Sequence, residues 1–246
     1  MPCLLPTYIL YSKHEVARIN QVAAIQAHFS NAIIVESIFP KYQKIPFLDK
    51  LIKLSKARTG QSLLHNEIGV LMSHRKVWRE IVLQSRLKNV DSSTHFLILE
   101  SDSKINNIEF IESCAELVRQ KYDLFFWGAW NNHVSIKRSS ILSIKGGYKI
   151  GEPLIHSVYG AYGYSLNAKA AEKMLLSTNK IKYPVDLYKH YDNISTLAIG
   201  AIQPELIATW LTTESTIRPE SQWDKMKRIL RIKIFSCRNQ IQAYFC

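Results

Sequence analysis

Along the first half of the chain, short apolar runs alternate with longer stretches whose apolar residues recur every three or four positions. This is the pattern of strands alternating with amphipathic helices. Residues 7–11 read as a strand and 15–29 as a helix with Val16, Ile19, Val22, Ala23 and Gln26 near one face. Residues 32–36 follow as a second strand, 47–56 as a short helix, and Gly60 with Ser62 as a loop. Residues 66–83 predict a longer helix, on which Ile68, Leu71, Met72, Val77, Trp78, Ile81 and Val82 form a broad apolar face. Strand 96–99, helix 108–121 and strand 123–127 complete a repeated β-α-β series, the signature of a mostly parallel sheet covered by helices.

The second half is less regular. Residues 131–152 hold Asn-Asn, Gly-Gly and several basic positions and read as loops or a hairpin. Residues 158–166, rich in Tyr and Gly, read as a strand, and Asn167 is placed to cap a helix through Ala170, Ala171, Met174 and Leu175. Residues 196–203 and 206–210 predict two further strands. No internal repeat or linker divides this part, so residues 1–217 form one expected domain.

Residues 218–246 differ in character. Trp223, Met226, Leu230, Ile234, Cys237, Ile241 and Tyr244 recur at helical spacing as one apolar stripe. Lys225, Lys227, Arg228, Arg231, Lys233 and Arg238 occupy much of the remainder, against one acid, Asp224. Such a basic amphipathic C-terminal helix can lie on an anionic membrane surface. It can equally pack its stripe on the domain and leave its charges in water.

Composition narrows these readings. A hydrophobic content of 47% supports a sizeable core, so the chain is not disordered. Cys3, Cys114, Cys237 and Cys246 are scattered, with neither zinc-like spacing nor the density of a disulfide framework, which points to the reducing cytosol. No segment approaches the roughly 18–20 continuous apolar residues that cross a bilayer. The first residues lack the basic start of a signal peptide. A net charge of +12 calls for a polyanionic neighbour: nucleic acid, anionic lipid or a phosphorylated substrate.

The chemistry concentrates at residues 95–102, where the apolar run Phe96 to Leu99 ends in Glu100 and Asp102. A buried strand delivers these acids where open α/β sheets keep their ligands. Acids two apart on an extended chain point to one side and can hold a hard divalent cation, Mg²⁺ or Mn²⁺, which commonly carries a phosphate-bearing substrate. The bland counterpart is a strand followed by a solvated turn. Several other patterns are absent: the Gly-x-Gly-x-x-Gly dinucleotide turn, the Walker phosphate loop, the Gly-x-Ser-x-Gly elbow, a helical His-x-x-x-His pair and any nucleic-acid motif.

What remains is an ordered set of segments. Asn66-Glu67-Ile68-Gly69-Val70-Leu71-Met72-Ser73-His74 comes first, then Leu99-Glu100-Ser101-Asp102, then Ala161-Tyr162-Gly163-Tyr164-Ser165 before a helix, and last Pro184-Val185-Asp186. In this order and spacing the set resembles glycosyltransferase family 25, which includes bacterial galactosyltransferases of lipooligosaccharide biosynthesis. Tyr8-Ile9-Leu10 followed by Arg18 is similar to the family's opening strand and arginine. The resemblance spans roughly residues 7–217. It departs at Asn66 and Val70, where the family has Gly and Cys, and at Ser101, where the family carries an acid between two others.

The resemblance implies a GT-A-like fold and an inverting sugar transfer from a UDP-sugar, usually UDP-galactose, to a glycan or glycolipid acceptor. Mn²⁺ or Mg²⁺ at Asp102, with Glu100 supporting, would offset charge on the leaving diphosphate. His156 is a further expected metal or phosphate ligand. Arg18, Ser73, His74 and Tyr162 are expected around the donor, and Tyr164 shares the Tyr162 segment. Asp186 is the first choice for the base that deprotonates the acceptor hydroxyl, with Glu67, Glu152 and Glu214 as alternatives. The expected setting is the cytoplasmic face of the inner membrane. No nucleic-acid partner is expected, although charge alone would allow one. Ser101 also permits a catalytically inactive family member that acts by binding.

Overall fold

The computed structural model describes residues 5–87, 90–143, 145–210 and 234–244. Glu214, residues 223–233 of the expected tail helix and the expected domain boundary at 217/218 lie outside them.

Among the described residues the centre is an eight-stranded mixed sheet in the order β2-β1-β3-β8-β5-β9-β7-β6. Its strands are β1 (Thr7–Tyr11), β2 (Ile33–Glu36), β3 (Phe96–Glu100), β5 (Leu124–Gly128), β6 (Leu142–Ser143), β7 (Lys149–Gly151), β8 (Gly163–Leu166) and β9 (Ile199–Gln203). β1 runs parallel to β2 and β3, and β5 runs parallel to β9. β8 lies antiparallel between β3 and β5. The α/β class and predominant strand direction match the sequence reading, but β3 and β5 are not neighbours. β4 (Ser103–Ile105), which the sequence reading missed, pairs antiparallel with β10 (Ile207–Thr209) in a separate ribbon.

Helices cover both faces, and strand alternation supplies two cores. In β3, Phe96 and Ile98 face one core with α3 (His65–Leu87) and α5 (Ala168–Ser177). Leu97 and Leu99 face the other, with α1 (Ile19–His28) and α4 (Ile108–Lys121). This double burial is why β3 reads as a continuous apolar run. Asn167 caps α5 as expected, its side chain accepting from the backbone N–H of Ala170 at 2.9 Å.

The first helical segment departs from expectation. A 3₁₀ turn, Val16–Arg18, precedes α1, and Val16 and Ile19 are exposed while Val22, Ile25 and Phe29 are buried. The strand expected over 158–166 contracts to β8. The short helix expected over 47–56 forms as α2 (Leu48–Thr59) and ends in Gly60, whose left-handed φ of 75° suits a residue without Cβ.

The loop after β2 docks on the start of α3. A Cβ at position 69 would lie 2.5 Å from the carbonyl oxygen of Ile38 and 2.7 Å from Pro40, so only glycine admits that approach. Ser73 locks it, accepting from the backbone N–H of Ile38 at 2.8 Å and donating to the Gly69 carbonyl at 2.8 Å.

Candidate active site

The chain leaves β1, returns through α1 to β2 on one side of it, and then crosses through α2 and α3 to β3 on the other. The C-terminal ends of β1 and β3 therefore flank a topological switch point, where an open α/β sheet leaves a crevice. Arg18 comes from the turn after β1, and Glu100 and Asp102 come from the end of β3.

These side chains meet. Arg18 Nη1 lies 3.2 Å from Asp102 Oδ2 and donates to Ser101 Oγ at 2.9 Å. Its Nε lies 3.5 Å from Glu15 Oε1, and Ser101 in turn donates to Glu15 Oε2 at 3.3 Å. Arg18 is only 9% exposed, and a guanidinium so placed needs fixed counter-charges. Glu15 and Asp102 supply them. Glu15, which sequence reasoning did not single out, thus brings a carboxylate to the serine standing where the family carries an acid. Its spacing three before Arg18 was the only signal available.

Glu100 is held from the other core. The Trp78 indole donates to the Tyr164 hydroxyl at 2.8 Å, and that hydroxyl is 2.8 Å from His74 Nδ1. His74 Nε2 is 3.2 Å from Glu100 Oε1. An indole can only donate, so the network is completed by Tyr164 donating to Nδ1 and Nε2–H donating to Glu100. This assignment follows from the network. All three supporting side chains are fully buried.

Asp102 is pushed up from its ordinary 3.8 to about 6, first by burial and then by the negative charge of Glu100, with Arg18 pulling the other way. Its Oδ1 is buried without a hydrogen-bond partner, so one oxygen of the pair stands ready for a ligand. Among the described residues no three His, Cys, Asp or Glu side chains group to hold a metal. A cation here would therefore rest on Glu100 and Asp102 together with oxygens of its substrate, a donor set that suits Mg²⁺ or Mn²⁺.

The other expected site residues separate into two groups. Asp186 is half-buried in the segment before Tyr188 and Tyr191, and its charge contributes to raising both phenols. Glu100 also acts on Tyr188, whose buried hydroxyl has no hydrogen-bond partner. Asp186 and Glu100 thus share an electrostatic environment through Tyr188.

The remaining residues serve elsewhere. Glu67 is buried and accepts from the Leu64 backbone N–H at 2.8 Å, tying down the first turn of α3. Ser73 binds the 38–40 loop as described. His156 is not brought to the two acids: its Nε2 donates to Asn239 Oδ1 at 3.1 Å. Glu152 pairs with Lys137 on the surface.

Tyr162 is not presented as an open sugar platform. It is 6% exposed, donates to Glu205 Oε2 at 2.8 Å and accepts from the Asn131 backbone N–H at 3.0 Å. Glu205 Oε2 also accepts from the Asn132 N–H at 3.1 Å. Together Tyr162 and Glu205 hold Asn131 and Asn132 in left-handed conformations, φ 50° and 68°, beyond the end of β5. Asn tolerates that region, so the Asn-Asn pair was the sequence signal for this turn. A cavity of about 290 Å³ at the opposite end of β1, lined by Leu5, Phe29 and Ile33, contains none of these groups.

Residues 12–188 match the model of glycosyltransferase family 25, described as LPS biosynthesis protein. No curated protein matches the sequence. Among solved structures, HddC from Yersinia pseudotuberculosis, in a complex with GMP-PN, aligns over 80% of this chain and 89% of its own. The identity is 14% and the TM-score 0.36.

Proposed function

Because this chain belongs to glycosyltransferase family 25, we propose that it is a metal-dependent inverting enzyme. It moves galactose from UDP-galactose to a lipooligosaccharide or related glycan at the cytoplasmic face of the inner membrane. The observation that carries this reading is the convergence of Arg18, Glu100 and Asp102 at the C-terminal ends of β1 and β3.

Arg18 binds the donor diphosphate, its planar fork suiting phosphate oxygens. Glu15 and Ser101 hold that guanidinium in place while its partner changes from Asp102 to phosphate. Asp102 and Glu100 would hold the divalent cation, the unpartnered Oδ1 of Asp102 offering it an oxygen. Bound there, such a cation would supply positive charge to offset that on the departing diphosphate. His74 donates to Glu100 and fixes its orientation. Asp186 accepts the proton of the acceptor hydroxyl as that oxygen bonds to the sugar's anomeric carbon and the bond to UDP breaks.

The test is UDP release from a panel of UDP-sugars, with and without Mn²⁺, beside a UDP-binding measurement. Release from UDP-galactose that chelation abolishes is the expected result. Absence of both turnover and UDP binding would overturn the enzyme reading. UDP binding without turnover of any donor would favour an inactive, binding family member.

A further inference from the structure

The helix at residues 234–244 docks on the domain by its small and polar side. Ser236, Asn239 and Ala243 are buried, spaced three and four apart on one face. Ser236 Oγ lies 3.2 Å from His133 Nδ1, and Asn239 Oδ1 accepts from His156. The His156 ring also meets Phe235 edge-on, with centroids 6.2 Å apart.

The opposite face carries Ile234, Cys237, Arg238 and Ile241, all exposed. Ile234 is 63% and Ile241 59% exposed, two turns apart on the same side. Tyr244 borders this face at 61% exposure, with the exposed Arg138 guanidinium 4.3 Å from its ring centroid. A helix on a globular domain ordinarily buries its apolar stripe. This one turns that stripe outward and is held by hydrogen bonds on its other side. Single exposed aliphatics are ordinary, but a repeated stripe on one helix face is a contact surface.

Charge identifies what covers it. Arg238 and Arg138 stand within and beside the stripe. Lys225, Lys227, Arg228, Arg231 and Lys233 precede it in the sequence, against the single acid Asp224. A second copy of the chain would bring the same +12 charge and repel. An anionic lipid surface complements both features, since it is apolar just beneath a negative plane.

We infer that the outward face of residues 234–244 is a docking surface for an anionic phospholipid bilayer. Ile234 and Ile241 enter the boundary of the acyl chains, and Arg238 and Arg138 meet lipid phosphates. The inference relies on the proposed function only for which membrane is meant, because lipid binding needs neither donor nor acceptor.

The test is co-sedimentation of the full-length chain with phosphatidylcholine vesicles, with and without phosphatidylglycerol. The expected result is about tenfold stronger binding to the anionic vesicles, weakened by salt. The I234D/I241D double variant should lose about tenfold or more of that binding, while its unfolding midpoint and UDP release stay unchanged. Wild-type-like binding by the variant would overturn the inference, as would equal binding to both vesicle types. A dimer seen by sedimentation equilibrium and dissolved by the same substitutions would assign the face to a second copy instead.

Discussion

Asp102→Asn separates function from stability at the centre of the site. Burial and Glu100 raise this carboxyl from 3.8 to about 6. A carboxyl whose folded value lies above its unfolded one contributes stability while protonated. That contribution is complete below the unfolded value and is lost as pH rises through about 6. A change from 3.8 to about 6 is equivalent to about 3 kcal/mol in favour of the neutral form. The D102N side chain keeps the shape and never ionises. In urea denaturation with a chelator present, its stability relative to wild type should therefore improve by about 2.5 kcal/mol between pH 4 and pH 7.5. Added Mn²⁺ should then restore stability to the wild type and do little for the variant. Transfer should fall by about a hundredfold or more in the variant. A stability difference that does not change with pH would refute the reasoning, because pairing with Arg18 would then outweigh burial.

Three further outcomes follow from the same geometry. Glu15→Gln removes the charge that balances Arg18 from the α1 side, so the KM for donor should rise about three- to tenfold with kcat little changed. An unaltered KM would deny Glu15 a positioning role. Tyr164→Phe strips Trp78 and His74 of their shared partner, which should cost about 1–3 kcal/mol in urea unfolding and also lower kcat. Stability equal to wild type would mean the chain does not hold Glu100. Gly69→Ala forces a methyl against the Ile38 carbonyl and Pro40, and should destabilise by about 1–3 kcal/mol in thermal or urea unfolding. An unmoved midpoint would show that the 38–40 loop yields freely.

Local readings succeeded where one element's own periodicity carries the signal. β1, β3 and α4 are legible because a buried strand is a continuous apolar run and an amphipathic helix repeats at 3.6 residues. The acids at 100 and 102 were legible because a strand end points its next polar residues at the crevice. The 15–29 segment misled because Val16 and Ile19 have the right period but face water, while Arg18 is buried. Ser73 and Tyr162 stand in family motifs, yet their hydrogen bonds go to a loop backbone and to Glu205. Motif membership alone did not tell which partners these side chains take in the fold.

The sequence by itself determined the α/β class, the alternation of elements and the strand that ends in two carboxylates. Each is written in short-range spacing and composition. Only the tertiary structure decided that β8 inserts antiparallel between β3 and β5, and that Glu15 reaches Ser101 across 86 positions. It also decided that the last helix turns its apolar stripe outward. A hydrophobic period says that a face will be covered, not by what. The partner is chosen by packing between distant segments, and no local repeat encodes that choice.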